Sequence, residues 1–373
     1  MAEIRIGVSG WRYAPWRGVF YPADLAQRRE LEYASRCFSA IELNGSFYSL
    51  QRPESYARWY TDTPPGFVFA VKGGRFITHM RKLRDTREPV ANFFASGIFN
   101  LKEKLGPILW QLPPTLKYDR ERLEPFLALL PHNTRAASRL ARGHAAWMRN
   151  RIQLAAGPAH TVRHAIEIRH QSFLNPSFIE LLRAYRIGLV VAETADRWPL
   201  LHDITADFVY IRLHGDQELY RSGYSDAALT LWARRISAWA AGEEPTDTRK
   251  IVDHAPPGAH GRDVYCFFDN TDDKLRAPFD AQALTGALDR QQCCNVGEPC
   301  ATGQLMQRQR EASAPVRMLL RGGRHVHLLH LVREVVQLHH DQGTGRSAQK
   351  SMGRVGQLIE FHFTLSFEQP LVP

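Results

Sequence analysis

Four runs along this chain alternate apolar residues with charged or amide ones in a period of two. They are Ala40-Ile-Glu-Leu-Asn44, Phe67-Val-Phe-Ala-Val-Lys72, Ala165-Ile-Glu-Ile-Arg-His170 and Phe208-Val-Tyr-Ile-Arg-Leu-His214. Successive side chains on a strand point to opposite faces. Glu42 and Asn44 therefore share a face, as do Glu167 and Arg169, and Tyr210, Arg212 and His214. A parallel strand buried on both faces reads as near-continuous Val, Ile and Leu. Ionised groups in such a strand cost desolvation energy unless they are paired or face a wet site. Four such runs in one chain predict strands that converge on one polar centre.

Extending the same reading gives strands at residues 5–9, 40–44, 67–72, 108–112, 165–169, 188–192, 208–214 and 264–269. Apolar residues near a 3.6-residue period predict helices between most of them, at 24–38, 53–60, 88–105, 120–130, 176–185, 226–241 and 280–288. Strands alternating with helices in this number are the signature of a (β/α)8 barrel of the TIM type, typically about 250 residues long. An open doubly wound sheet competes, but no glycine-rich dinucleotide fingerprint follows the first strand. The barrel is thus expected over residues 1–290. Residues 291–373 lose both periodicities and gather Cys293, Cys294, Cys300 and a run of histidines. They read as an atypical extension, disordered or translated from a shifted frame, with a small accessory domain as the alternative.

Composition narrows the setting. The chain of 373 residues is 44% hydrophobic and 23% charged, as expected of a globular protein. No apolar stretch approaches the roughly 20 residues that span a bilayer, and the start lacks the layout of a signal peptide. A cytoplasmic location without membrane contact is expected. The five cysteines are few and uneven, which argues against a disulfide framework. A net charge of +10 favours anionic partners, either small molecules or nucleic acid. The densest basic run, from Arg75 to Arg87, fits a solvated helix entry better than a nucleic-acid footprint.

In a barrel of this type the chemistry sits at the C-terminal strand ends and the loops after them. There the sequence offers Glu42, Asn44, Lys72, His79, Gln111, Glu167, Arg169, His170, Glu193, Arg212, His214, Tyr224, Asp269 and Asn270. Glu42 and Glu167 are candidates for general acid or base and His214 for a proton shuttle. Lys72, Arg169 and Arg212 suit an anion clamp, with Asn44, Tyr224 and Asn270 as further substrate contacts. Gly73, Gly74 and Gly215 could bring backbone N–H groups close to an anion. The bland alternative is that these charges neutralise one another inside the barrel.

No nucleotide-cofactor motif is present, and the cofactor stays open. Glu42, Glu167, Glu193, His214 and Asp269 are residue types that a divalent metal would accept, but no spacing supports them, so no metal ligand is assigned. The tail groups His325-x-His327-x-x-His330, His339-His340 and Cys293-Cys294 with Cys300 match no zinc spacing either. The aromatics Trp11, Tyr13, Trp16, Phe20, Tyr21, Phe47 and Tyr48 could stack on a base or sugar ring, or pack a loop over the mouth.

Several segments, in order, resemble the YecE-like family, known as domain of unknown function 72. They are Gly7-Val-Ser-Gly-Trp11, Phe20-Tyr-Pro22, Ile41-Glu-Leu-Asn44 with Phe47-Tyr48, Phe69-Ala-Val-Lys72, Thr78-His79 and Trp110-Gln-Leu-Pro-Pro114. Glu167-Ile-Arg-His170, Tyr210-x-Arg212-x-His214-Gly215 and Phe268-Asp-Asn270 before Ala277-Pro278 continue the series. Asp269 and Phe173 depart from it, where asparagine and tryptophan are common. The resemblance implies a TIM barrel with a polar mouth built from Glu42, Asn44, Lys72, Glu167, Arg169, Arg212, His214 and Asn270. It supplies no activity.

The sequence therefore predicts an enzyme using acid/base chemistry on a small anionic substrate, phosphate- or sugar-containing. The alternatives are a nucleic-acid-binding or nucleic-acid-processing protein and a barrel that binds a ligand without chemistry.

Overall fold

Eight strands close on themselves in the computed structural model, which describes residues 2–254, 261–271 and 274–296. They are β1 (Ile4–Ser9), β2 (Ala40–Leu43), β3 (Val68–Lys72), β4 (Leu105–Gln111), β5 (His164–Glu167), β6 (Gly188–Glu193), β7 (Phe208–Leu213) and β8 (Asp263–Phe268). Each pairs in parallel with its sequence neighbour, and β1 pairs with β8 to close the ring. This is the TIM-type barrel that the alternation predicts.

The period of two separates two cores. One face of each strand, with Val8, Ile41, Phe69, Trp110, Ile166, Val191, Ile211 and Phe268, packs beneath the surrounding helices. The other face fills the barrel interior with a smaller apolar cluster that includes Ala40, Ala70, Leu109, Ala165, Val190, Tyr210 and Phe267. Two residues further along those inward faces, towards the C-terminal end, the side chains turn polar: Glu42, Lys72, Gln111, Glu167, Arg212 and Asp269. A strand cannot change which face a residue occupies without shifting register by one, so the apolar layer below fixes the polar layer above.

Helix ends follow local chemistry. Asp226–Ala241 starts where the Ser225 hydroxyl accepts from the Ala228 N–H and stops at Gly242, left-handed at φ 88°. Pro176–Ala184 opens with proline behind an Asn175 cap. The continuous helix expected over 88–105 divides instead. Arg87–Ala95 ends, Gly97 turns left-handed at φ 105°, and a kinked 3-10 segment, Ile98–Lys104, leads into β4. The helix Thr134–Ala141 is absent from the expectation: its eight residues fall short of the window over which a helical period is read. The last helix, Ala277–Val296, runs through the boundary expected at residue 290. Most of the extension, with its histidine groups and the Cys293, Cys294 and Cys300 side chains, lies outside the described residues. Among the described residues Cys37 and Cys266 are unpaired thiols, and no helix is long and apolar enough to cross a membrane.

Candidate functional site

Arg212, at the end of β7, is the hub of the polar layer and is fully buried. Its Nε and Nη2 donate to both oxygens of Glu42 at 3.0 and 2.9 Å. Nη1 donates to Glu167 at 2.6 Å, and Nη2 reaches Asp269 at 2.8 Å. One guanidinium thus joins carboxylates from β2, β5 and the end of β8. The planar fork of arginine suits this better than the point charge of lysine would.

Each carboxylate is further engaged. Glu42 accepts from the Ser9 hydroxyl at 2.6 Å and the Tyr210 hydroxyl at 2.7 Å. Glu167 accepts from Gln111 Nε2 at 2.9 Å and Arg169 Nε at 2.7 Å. Burial pushes the Glu167 carboxyl up, but Arg169 and Arg212 outweigh it and hold the group well below the usual range. The same opposition, burial against the combined pull of Arg212, His214 and Lys72, keeps Asp269 low.

His214 completes the floor. Its Nε2 lies 3.2 Å from Arg212 Nη1, which can only donate, so Nε2 bears the lone pair and Nδ1 the proton. Nδ1 is 3.3 Å from Asp269, off the line of a hydrogen bond. Burial and the neighbouring guanidinium lower its pKa. His214 is therefore a neutral acceptor for Arg212.

Above this floor opens a cavity of about 870 Å³, lined by Tyr13, Asn44, Phe47, Tyr48, Lys72, Arg75, His79, Met80, Gln111, Arg169, Tyr220, Asp269 and Thr271. Arg169 is held by Glu167 below, by the Tyr220 hydroxyl at 3.2 Å, and by the Trp198 ring, whose centroid lies 3.8 Å from its guanidinium carbon. Asn44 Oδ1 is buried without a hydrogen-bond partner among the described residues. His79 lies in the π-helical turn Phe76–Met80, and burial with nearby Arg169 and Lys72 lowers its pKa to about 4.

Lys72 differs from its neighbours. Its side chain is 8% exposed. Among the described residues its Nζ has no hydrogen bond or ion pair; it sits 4.5 Å from the centre of the Phe47 ring. Burial and then Arg212 lower its pKa from 10.5 to about 8, against the pull of Glu42, Glu167 and Asp269. The layer balances three cations (Lys72, Arg169, Arg212) against three carboxylates (Glu42, Glu167, Asp269), but only Lys72 carries its charge without direct contact.

The expected site residues therefore fall into three places. Asn44, Lys72 and Arg169 line the cavity. Glu42, Glu167, Arg212 and His214 lie beneath it, buried and joined to one another through Arg212, so they are poorly placed for the catalytic and clamping duties expected of them. Tyr224 and Asn270 lie away from the cavity lining. The Tyr224 hydroxyl accepts the Gly215 N–H at 3.0 Å, and Asn270 Nδ2 donates to Ser222 O at 2.9 Å and Asp280 at 2.8 Å. These bonds tie together the loops after β7 and β8. They also occupy the Gly215 N–H expected to face an anion, and the Gly73 N–H is likewise spent on Leu109 O at 2.8 Å.

Other expectations divide similarly. Trp11, Trp16, Phe20 and Tyr21 are core residues, while Tyr13, Phe47 and Tyr48 reach the cavity. Glu193 accepts from Trp232 Nε1 at 2.9 Å instead of facing the cavity. His170 caps the short turn Gln171–Phe173 through the Ser172 N–H. Among the described residues no three His, Cys, Asp or Glu side chains are grouped to hold a metal ion. Tyr220 and Trp198, which orient Arg169, escape sequence reading because they stand on aperiodic loops.

A closed parallel eight-stranded barrel with interstrand helices and a polar cavity over the C-terminal strand ends defines a TIM-type barrel protein. The profile of the family described as Protein of unknown function DUF72 matches residues 5–302, and the chain belongs to that family, as its motifs led one to expect. It is similar to UPF0759 protein YunF of Bacillus subtilis, 28% identical over 125 residues, covering 32% of this chain and 43% of YunF. It is also similar to UPF0759 protein YecE of Escherichia coli, 30% identical over 112 residues, covering 30% of this chain and 38% of YecE. These matches span less than half the length of either relative. Among solved structures, a DUF72 family protein from Thermotoga maritima shares the fold with a TM-score of 0.57 at 24% identity, over 77% of this chain and 99% of that one. A DUF72 family protein from Enterococcus faecalis does so at 0.53 and 16% identity, over 76% and 95%.

Proposed function

We propose that this barrel is an enzyme that uses acid/base chemistry on an anionic, phosphate- or sugar-containing substrate held in the cavity at its mouth. The observation that carries the reading is the charge around that cavity. Among the described residues that line it, Lys72, Arg75 and Arg169 face it together, opposed by the single carboxylate of Asp269. A phosphate group suits the exposed fork of Arg75 and the pre-oriented fork of Arg169. Phe47, Tyr48 and Tyr13 offer flat surfaces for a sugar ring. The acid/base duty falls to Lys72, whose pKa of about 8 lies near the working pH at which proton transfer is efficient. Glu42, Glu167 and His214 support that amine from below by fixing Arg212.

Calorimetry with inorganic phosphate and a panel of sugar phosphates, followed by NMR for turnover, tests the proposal. Arg75 makes no contact with the buried floor, so Arg75→Ala should leave the fold intact and weaken phosphate binding about tenfold, as expected for loss of one charge-assisted contact. Sugar phosphates that bind no tighter than the corresponding neutral sugars would sink the anion reading. Tight binding with no turnover would favour a ligand-binding barrel. A nucleic-acid reading keeps Tyr13, Phe47 and Tyr48 as stacking candidates but loses Trp11, Trp16, Phe20 and Tyr21 to the core.

A further inference from the structure

We infer that Lys72 is a carbonyl-capturing amine, forming an imine with an aldehyde or ketone that also bears an anionic group. The inference rests on the reading of the mouth as an anion site and adds the class of the reacting group. Its basis is the contrast between Lys72 and the charges packed around it. Every carboxylate of the layer is bonded to Arg212, so none is left to fix the Lys72 ammonium in an ion pair. The amine stands nine-tenths buried at the cavity wall, 4.5 Å from the centre of the Phe47 ring. A lysine kept only as an anion clamp gains from remaining charged, whereas burial above a guanidinium favours the neutral, nucleophilic form. Arg75 and Arg169 share the cavity and can take the anionic group while the carbonyl meets Nζ.

The chemistry balances without any further reagent. The Nζ lone pair attacks the carbonyl carbon, and the carbonyl π pair moves to oxygen, which takes a proton to give the carbinolamine. That hydroxyl takes a second proton and leaves as water as the nitrogen lone pair forms the C=N bond. In sum, the ammonium and the carbonyl compound give a protonated imine and one water. Asp269, on the same cavity, is the carboxylate placed to relay protons to the departing oxygen.

The test uses the full-length protein with glycolaldehyde phosphate as the anionic aldehyde, glycolaldehyde as its neutral counterpart, and cyanoborohydride to reduce any imine. Peptide mapping should find Lys72 heavier by the mass of the aldehyde less one oxygen. At pH 7.5 its labelling should exceed that of exposed lysines roughly 100-fold, given the larger fraction of neutral amine. Labelling should rise as pH passes through about 8. The groups that set this profile are Arg212, Glu42, Glu167 and Asp269 around the amine, with His79 beside it. Inorganic phosphate should compete, Arg75→Ala should reduce the phosphate preference, and Lys72→Arg should leave the other lysines labelled as before. If phosphate binds by calorimetry yet Lys72 is labelled no faster than exposed lysines, the imine assignment is overturned and the anion site stands. If Lys72 is labelled preferentially but equally by both aldehydes, the amine assignment survives and the anion site fails.

Discussion

Arg212→Met is expected to destabilise the barrel by about 3–5 kcal/mol, the range for breaking a buried ion network by removing one partner. The loss would come less from missing attraction than from Glu42 and Asp269, left without a cation partner, and from Glu167, left with Arg169 alone. Urea unfolding at pH 7 measures it, and adding Glu42→Gln to Arg212→Met should recover part of the loss by removing one stranded charge. The pH dependence has a definite sign. Glu167 and Asp269 have depressed pKa values in the folded protein, so they contribute stability above the unfolded carboxylate pKa, near 4, and lose it as pH falls through their folded values. The variant lacks that contribution, so the gap between it and the parent should narrow as the pH drops below 5. A gap under 1 kcal/mol that ignores pH would show that the network does not bear on stability as argued.

Lys72→Met should move stability the other way, by about 3 kcal/mol at pH 7, since each unit of pKa shift corresponds to about 1.4 kcal/mol. The lysine pKa falls from 10.5 in the unfolded chain to about 8 in the fold. A depressed lysine binds fewer protons when folded. Its penalty is therefore fully present below pH 8, shrinks as pH rises, and is gone above 10.5. The stability advantage of Lys72→Met should fade over that same window in urea titrations at successive pH values. The same variant should lose turnover and imine trapping. A destabilised Lys72→Met would mean that the ammonium is held by contacts stronger than its distance from the carboxylates suggests. The two cations thus predict opposite outcomes within one polar layer: Arg212 is bonded to every carboxylate and Lys72 to none.

Much of the barrel was readable in advance because its strands carry two kinds of information. Apolar content marks them as buried, and the period of two tells which residues share a face. Strand ends were accurate to a few residues, and Asp226–Ala241 matched at both ends, where the structure shows a Ser225 cap and a left-handed Gly242. The segment 88–105 misled because the left-handed turn at Gly97 interrupts an otherwise apolar run. Thr134–Ala141 was missed because, although Ala137 and Ala141 form a buried stripe, eight residues are too few to establish a helical period.

By itself, the sequence determined the architecture, the family, and the set of charged residues at the strand ends. It did so because alternation and burial are local properties of a strand. Only the tertiary structure decided which charges meet. Arg212 stands 170 residues from Glu42 and 45 from Glu167, and no local pattern encodes a contact across the barrel. Folding exchanged the roles expected from residue type, sealing Glu42, Glu167 and His214 under Arg212 and leaving Lys72 unpaired at the cavity. The reason is geometric: a closed barrel brings all inward side chains of one layer together, and a forked guanidinium at its centre takes the carboxylates first.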